Sequence, residues 1–226
     1  MLVWCDLETT GLSAADEHVL EVAAVVTTDD LTEVARFERV VYHPEADAIV
    51  KWAKALEKLG PEYSPSGKSG GAPTGCLIDP YVVKMHLDNG LWADARRGES
   101  LATVDADLAE FIVKHAVIST EVKNDAGVIT DVKYDRPQLA GSTISFDRAF
   151  LAHHMPKAHA PLHYRNVDVT TLNEVARRFW KPIHEARPRA GKAAHRAMAD
   201  ILESIATARY YVNALGPVAL EQREAA

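Results

Sequence analysis

Leu2-Val3-Trp4-Cys5-Asp6-Leu7-Glu8-Thr9-Thr10-Gly11-Leu12 is the stretch on which the fold of this chain turns. Leu2 to Leu7 predict a buried strand, and Gly11 marks the turn that ends it. Side chains two apart on a strand share a face, so Asp6 and Glu8 project together from a mostly apolar element. Two carboxylates in one place repel, and neither is cheap to bury unpaired. A divalent cation resolves both problems, and carboxylate oxygens suit Mg²⁺ or Mn²⁺. A solvated strand end with two acids is the plainer alternative, and the D-x-E spacing alone does not separate the two.

Outward from that strand, Val19–Thr27 (VLEVAAVVT) predicts a second strand, Asp29-Asp30 a turn, and Glu33 to Tyr42 a third strand. Residues 45–60 (EADAIVKWAKALEKLG) predict an amphipathic helix ended by Gly60. Pro, Ser and Gly dominate residues 61–80 (PEYSPSGKSGGAPTGCLIDP), which predict a loop. Its Gly67-Lys68-Ser69 invites a phosphate-loop reading, but Glu62 stands where G-x-x-x-x-G-K-S needs its first Gly, and no strand precedes it. Residues 100–116 (SLATVDADLAEFIVKHA) predict a helix capped by Ser100 or Thr103, with Leu108, Phe111 and Ile112 inward. A hairpin follows over 117–135, turning at Lys123-Asn124-Asp125-Ala126-Gly127. Gln138-Leu139-Ala140-Gly141 begins the next core segment, and helices are expected from Phe146, over 167–180, and from about 194 to 213, before Gly216-Pro217. With no linker or internal repeat, this order predicts one α/β domain over residues 1–226, a sheet with helices packed on it.

Composition narrows the function. Of 226 residues, 47% are hydrophobic and 25% charged, enough apolar material for a core without staples. Cys5 and Cys76 are the only cysteines, which gives no disulfide framework and no thiolate metal site and suits a reducing cytoplasm. An acid arrives at Asp6 with no basic residue before it, unlike a secretory signal. No apolar run approaches the length that crosses a bilayer, so no membrane partner is expected. The net charge of −7 lacks the basic surplus of a protein that grips long nucleic acid. It leaves room for a short anionic substrate held through metal ions and a few local cations.

Three residues join Asp6 and Glu8 as candidates. Asp147, in Ser142-Thr143-Ile144-Ser145-Phe146-Asp147-Arg148, falls at a helix start, where an acid is ordinarily a first-turn residue favoured by the helix dipole. His195 and Asp200 lie in Ala194-His195-Arg196-Ala197-Met198-Ala199-Asp200-Ile201. A separation of five turns side chains roughly 140° apart on a helix, so both do not share a face mid-helix. His195 is expected at the loop–helix junction, free to swing on Gly191-Lys192, with Asp200 pointing inward from the helix body beside Ala197, Ile201, Ile205 and Ala208.

The set D-x-E…D…H-x-x-x-x-D, in this order, resembles the DEDDh 3′-to-5′ exonucleases, and within them the oligoribonucleases. The likeness is densest in Val3 to Leu12, in Leu20-Glu21-Val22-Ala23, in His163-Tyr164-Arg165-Asn166-Val167-Asp168-Val169-Thr170-Thr171-Leu172, in Ala176 to Trp180 and in Ala194 to Ile205. Ser142 to Asp147 departs from the N-S-x-G-Q-D usual in the family, and the 61–80 loop and 117–135 hairpin are longer than usual.

The resemblance implies an RNase H-like fold, a central mixed five-stranded sheet flanked by helices. It implies Asp6, Glu8, Asp147 and Asp200 as ligands of two Mg²⁺ or Mn²⁺ ions, and His195 as general base, a role that suits an imidazole near neutral pH. It implies Leu12 as a wedge between bases and Tyr81 as a stacking platform, since stacking on an aromatic face tolerates any base. Thr143, Arg165, Thr170 and Thr171 match positions that cap a 5′-phosphate, for which a guanidinium is suited. Tyr164 matches a residue that reaches in from the second subunit of a homodimer. The expected activity is release of 5′-mononucleotides from short single-stranded RNA, from dinucleotides to about five nucleotides. A DNA-directed exonuclease of the proofreading or trimming type, or a catalytically silent binder of short RNA, are the alternatives.

Overall fold

The computed structural model describes residues 1–58, 78–188 and 195–224. Gly60, Gly67-Lys68-Ser69, Cys76, Gly191-Lys192 and most of the 61–80 loop lie outside the described residues. Strands β1 (Leu2–Thr9), β2 (Val19–Thr27) and β3 (Glu33–Val40) form the expected meander. Helices α1 (Ala46–Glu57), α2 (Pro80–Asp88), α3 (Leu91–Ala95) and α4 (Leu101–Ala116) follow, then strands β4 (Ile118–Lys123), β5 (Ile129–Asp135) and β6 (Gln138–Gly141). The chain continues through α5 (Ser145–His154), α6 (Pro156–His159), β7 (Asn166–Asp168), α7 (Val169–Phe179), α8 (Lys181–Glu185) and α9 (Ala197–Glu224).

The main sheet has five strands in the order β3-β2-β1-β6-β7. The meander pairs are antiparallel, and β1–β6 and β6–β7 are parallel, so the sheet is mixed as expected. Alternation along β1 splits the core in two. Val3, Cys5 and Leu7 face α4, whose Val104, Leu108 and Ile112 are spaced to line one helical face. Trp4 faces the other way with Ala23 and Val25 of β2, against Ala197, Ile201, Ile205 and Ala208 of α9. Asp6 and Glu8 belong to that second face, which puts both acids beneath the start of α9. A smaller cluster joins Leu20 to α1, α2 and α3 through Ile49, Val83 and Trp92. Gly141 ends β6 where an added Cβ would stand 2.8 Å from the Cys5 carbonyl oxygen. Glycine therefore lets the β6–α5 corner close onto β1.

Several expectations are corrected. The first strand runs past Leu7 to Thr9, so Glu8 is a strand residue. The third stops at Val40, Val41 forming an isolated bridge to Glu99. Ser100, not Thr103, caps α4, its side chain accepting from the Thr103 N–H, and Phe111 is only half-buried. The helix expected over 167–180 begins at Val169, because Asp168 caps it, and the residues before it form β7. The short helices α2 and α3 were not expected; α2 starts where the Asp79 side chain accepts from Tyr81 N–H and Pro80 opens the first turn. The last helix passes through Gly216-Pro217 to Glu224 instead of stopping near 213. The hairpin of β4 and β5 is a separate two-stranded sheet, exposed along nearly its whole length. Among the described residues, no helix is long and apolar enough to cross a membrane.

Candidate active site

Three elements deliver the acids. β1 carries Asp6 and Glu8 on one face, the first turn of α9 carries Asp200, and the first turn of α5 carries Asp147. One carboxylate oxygen each from Asp6, Glu8 and Asp200 lie within 4.8 Å of one another. Asp147 is buried beside them, and its Oδ1 accepts from the Leu7 N–H at 2.9 Å, which turns the carboxyl toward the end of β1. Asp200 thus sits at the helix start, not in the helix body. His195 precedes the helix, as expected at the junction, with a left-handed backbone (φ +48°) that costs a non-glycine residue about 1–2 kcal/mol.

Crowding shows in the protonation of the acids. Burial, then Asp147, Glu8 and Asp200, push Asp6 up to about 9. Burial followed by Asp200 and Glu21 push Glu8 up to about 8. Burial raises Asp147 to about 7 against the Leu7 hydrogen bond, and burial raises Asp200 also. A half-buried set of oxygen donors that repel one another fits a hard divalent cation, which would restore their ionised forms. The donor set carries no sulfur, and the one described cysteine, Cys5, points to the opposite face of β1.

Two clefts meet at the acids. One, of about 330 Å³, is lined by Asp6, Glu8, Asp147, His195 and Asp200 together with Leu12, Thr143 and Phe146. The other, of about 360 Å³, shares Asp6, His195 and Asp200 and runs between α7 and α9 past Thr170, Asn173 and Arg187. Leu12 is 86% exposed at the mouth. Thr143 and Thr170 come together: their hydroxyls are 3.1 Å apart, and Thr143 N–H donates to Thr170 Oγ1 at 3.0 Å and to Asp168 Oδ1 at 3.1 Å. Asp168 Oδ1 also accepts from Thr170 N–H and Thr171 N–H, so one cap carboxylate organises three of the expected phosphate contacts. Thr171 lines a shallow neighbouring groove. Arg165 is not brought to the clefts; its guanidinium lies 5.4 Å from the ring centre of exposed Tyr164. Tyr81, in the first turn of α2, is exposed and lines neither cleft.

Sequence reasoning missed a second layer. Glu21 is fully buried in β2, accepts the Arg196 guanidinium at 2.7–3.1 Å on both oxygens, and accepts Ala197 N–H at 3.0 Å. An acid inside the apolar run VLEVAAVVT was the available signal. His86 of α2 is buried with Nε2 3.8 Å from Glu8 Oε2, and burial lowers it to about 4, so it is a neutral neighbour of the acids. Nothing in its local sequence marks it.

Residues 3–64 match the RNase_T family model, described as Exonuclease. The oligoribonuclease of Tropheryma whipplei (strain Twist) is 34% identical over 210 residues, 93% of this chain and 90% of the relative. That of Thiobacillus denitrificans is 36% identical over 214 residues, 93% and 92% of the two chains. In three dimensions, E. coli exonuclease I in complex with a dT13 oligonucleotide superposes with a TM-score of 0.58 at 13% identity, over 96% of this chain and 42% of that one. Exonuclease I from Methylocaldum szegediense gives 0.57 at 16% identity, over 94% and 40%. This chain therefore spans about two-fifths of the exonuclease I chains, whose likeness shows the fold. With about a third of its residues shared along nearly the full length of such relatives, the chain belongs to the oligoribonuclease family of DEDDh exonucleases.

Proposed function

We propose that this chain is a 3′-to-5′ exoribonuclease that hydrolyses very short RNA, dinucleotides above all, to 5′-mononucleotides with the help of two Mg²⁺ or Mn²⁺ ions. The observation that carries the reading is the convergence of Asp6, Glu8 and Asp200 within 4.8 Å, with Asp147 and His195 lining the same cleft. Asp6, Glu8, Asp147 and Asp200 would hold the two ions. Such ions supply neutralisation of the charge that develops on the phosphate and make the attacking water more acidic. His195 takes the proton of that water as it attacks phosphorus, the bond to the leaving 3′-oxygen breaks, and the oxygen leaves protonated by solvent. Leu12 separates the last two bases, and Thr143 and Thr170 hold the 5′-phosphate with their hydroxyls. Arg165 completes that cap on leaving the Tyr164 ring, and Tyr164, 74% exposed, serves the site of a second subunit in a homodimer. The reading places the enzyme in the cytoplasm, in keeping with a free Cys5 thiol.

The test is mononucleotide release from a 5′-labelled RNA dinucleotide, set beside a long DNA strand. Wild-type protein with Mn²⁺ or Mg²⁺ consumes the dinucleotide faster, and Asp200→Ala lowers that rate by on the order of 10³-fold or more. Faster consumption of DNA overturns the substrate, and binding without hydrolysis overturns the activity.

A further inference from the structure

His195 is held through its backbone by a residue that lines neither cleft. Its carbonyl oxygen accepts a hydrogen bond from Nδ2 of Asn89, in the turn between α2 and α3. The same Nδ2 faces Nδ1 of His86 at 3.5 Å, while Asn89 Oδ1 accepts from Leu91 N–H at 3.0 Å and so starts α3. His86 Nε2 lies 3.2 Å from the Thr9 carbonyl oxygen. A carbonyl can only accept, so Nε2 carries the proton and Nδ1 is left as acceptor for Asn89. The contacts run without a gap from Thr9, next after Glu8 on β1, through His86 and Asn89, to the backbone of His195. On the far side of His195, Arg196 is forked onto buried Glu21, reaches Asp94 at 3.1 Å, and leaves Ala197 N–H to Glu21 as well. The peptide that follows His195 is therefore tied to β1 through Asn89 and His86, and to β2 through Arg196 and Ala197.

We infer that Asn89 is a positioning residue: through the His195 carbonyl it sets where the imidazole stands relative to the carboxylates of β1. The inference rests on His195 as the group that takes the proton from water. On this reading the carbonyl side of His195 is tied to the strand that carries Asp6 and Glu8. Misplacing a reacting group by a fraction of an ångström lowers turnover more than it lowers binding.

Asn89→Asp is the decisive variant. It keeps an oxygen for Leu91 N–H, and so the start of α3, but turns the donor into a second acceptor facing the His195 carbonyl. Assayed on a short RNA with Mn²⁺, Asn89→Asp lowers kcat about tenfold and leaves KM within about twofold. Its thermal midpoint stays near wild type, whereas Asn89→Ala, which loses the cap too, melts lower. In a His195→Ala background the same change has no further effect on rate, a non-additivity that a purely structural role would not produce. Should Asn89→Asp melt below the assay temperature, Asn89→Ser, too short to reach His195 yet able to cap Leu91 N–H, is read in its place. Unchanged kcat, or an equal loss with and without His195, overturns the inference. Wild-type turnover by His195→Ala itself would instead overturn the role of His195, a separate failure visible in the same cycle.

Discussion

Asp6 and Glu21 sit on neighbouring strands and face the same helix, yet their surroundings are opposite in sign. Asp6 is ringed by Asp147, Glu8 and Asp200, and without a cation its ionised form destabilises the fold. Glu21 is matched by the Arg196 fork and the Ala197 N–H. Asp6→Asn is therefore expected to abolish hydrolysis while raising the melting temperature in EDTA at pH 9 by at least about 2 °C, the equivalent of about 1 kcal/mol or less in a domain of this size. Glu21→Gln moves the other way, losing about 2–3 kcal/mol because it leaves a partly buried guanidinium short of its partner. Thermal melts of both variants in EDTA check the pair, and a destabilised Asp6→Asn would contradict the reading of the cluster as a site built for a cation.

At the scale of elements, what sequence could show depended on length and periodicity. β1 and β2 carry long apolar runs, and α4 repeats its apolar residues every three or four positions, so each was legible with its facing. β7 has three residues, too few for any period, and shows itself only as a parallel partner of β6. α2 and α3 follow the 61–80 loop, whose Gly and Pro content hid the Asp79-Pro80 start. The acids and His195 were legible because their order in the chain is a motif; His86, Asn89 and the Glu21–Arg196 pair were not, because they act through distances between elements. The hairpin was legible too, and its isolation has a consequence. Ile118 is opposite Asp135 across the hairpin, and among the described residues the two strands pair with each other and no further element packs broadly on them. Two-stranded sheets alone contribute little stability. Excising 118–135 and joining Val117 to Arg136 by a Gly-Asn turn should leave the melting temperature within about 2 °C, under about 1 kcal/mol. Dinucleotide turnover should stay within about twofold. A large loss in either measurement would mean that the hairpin serves the site or the core.

Over the whole molecule, the acid cluster sets how stability depends on pH. Below their unfolded values, 3.8 for Asp and 4.5 for Glu, these groups are protonated in both states. Above them the cation-free folded state still holds protons, on Asp147 up to about 7, Glu8 up to about 8 and Asp6 up to about 9, while the unfolded chain has released them. The folded state then binds more protons than the unfolded one, so stability falls as pH rises through this window. The buried histidines act oppositely: His86, lowered from 6.5 to about 4, makes the unfolded state the better proton binder between those values. Above about pH 7 His86 is mostly neutral in both states, and the acids dominate. The melting temperature in EDTA should therefore drop from pH 7 to pH 9. A bound divalent cation requires ionised carboxylates, so its stabilisation should grow over the same range. At a hundredfold excess over its dissociation constant, Mn²⁺ adds about 2.7 kcal/mol, or about 5–10 °C for a domain of this size. Scanning calorimetry at pH 7, 8 and 9, with EDTA or saturating Mn²⁺, should show two curves that diverge as pH rises. Parallel curves would mean that the ion and the protons do not compete for Asp6, Glu8 and Asp147, and that the cation binds elsewhere.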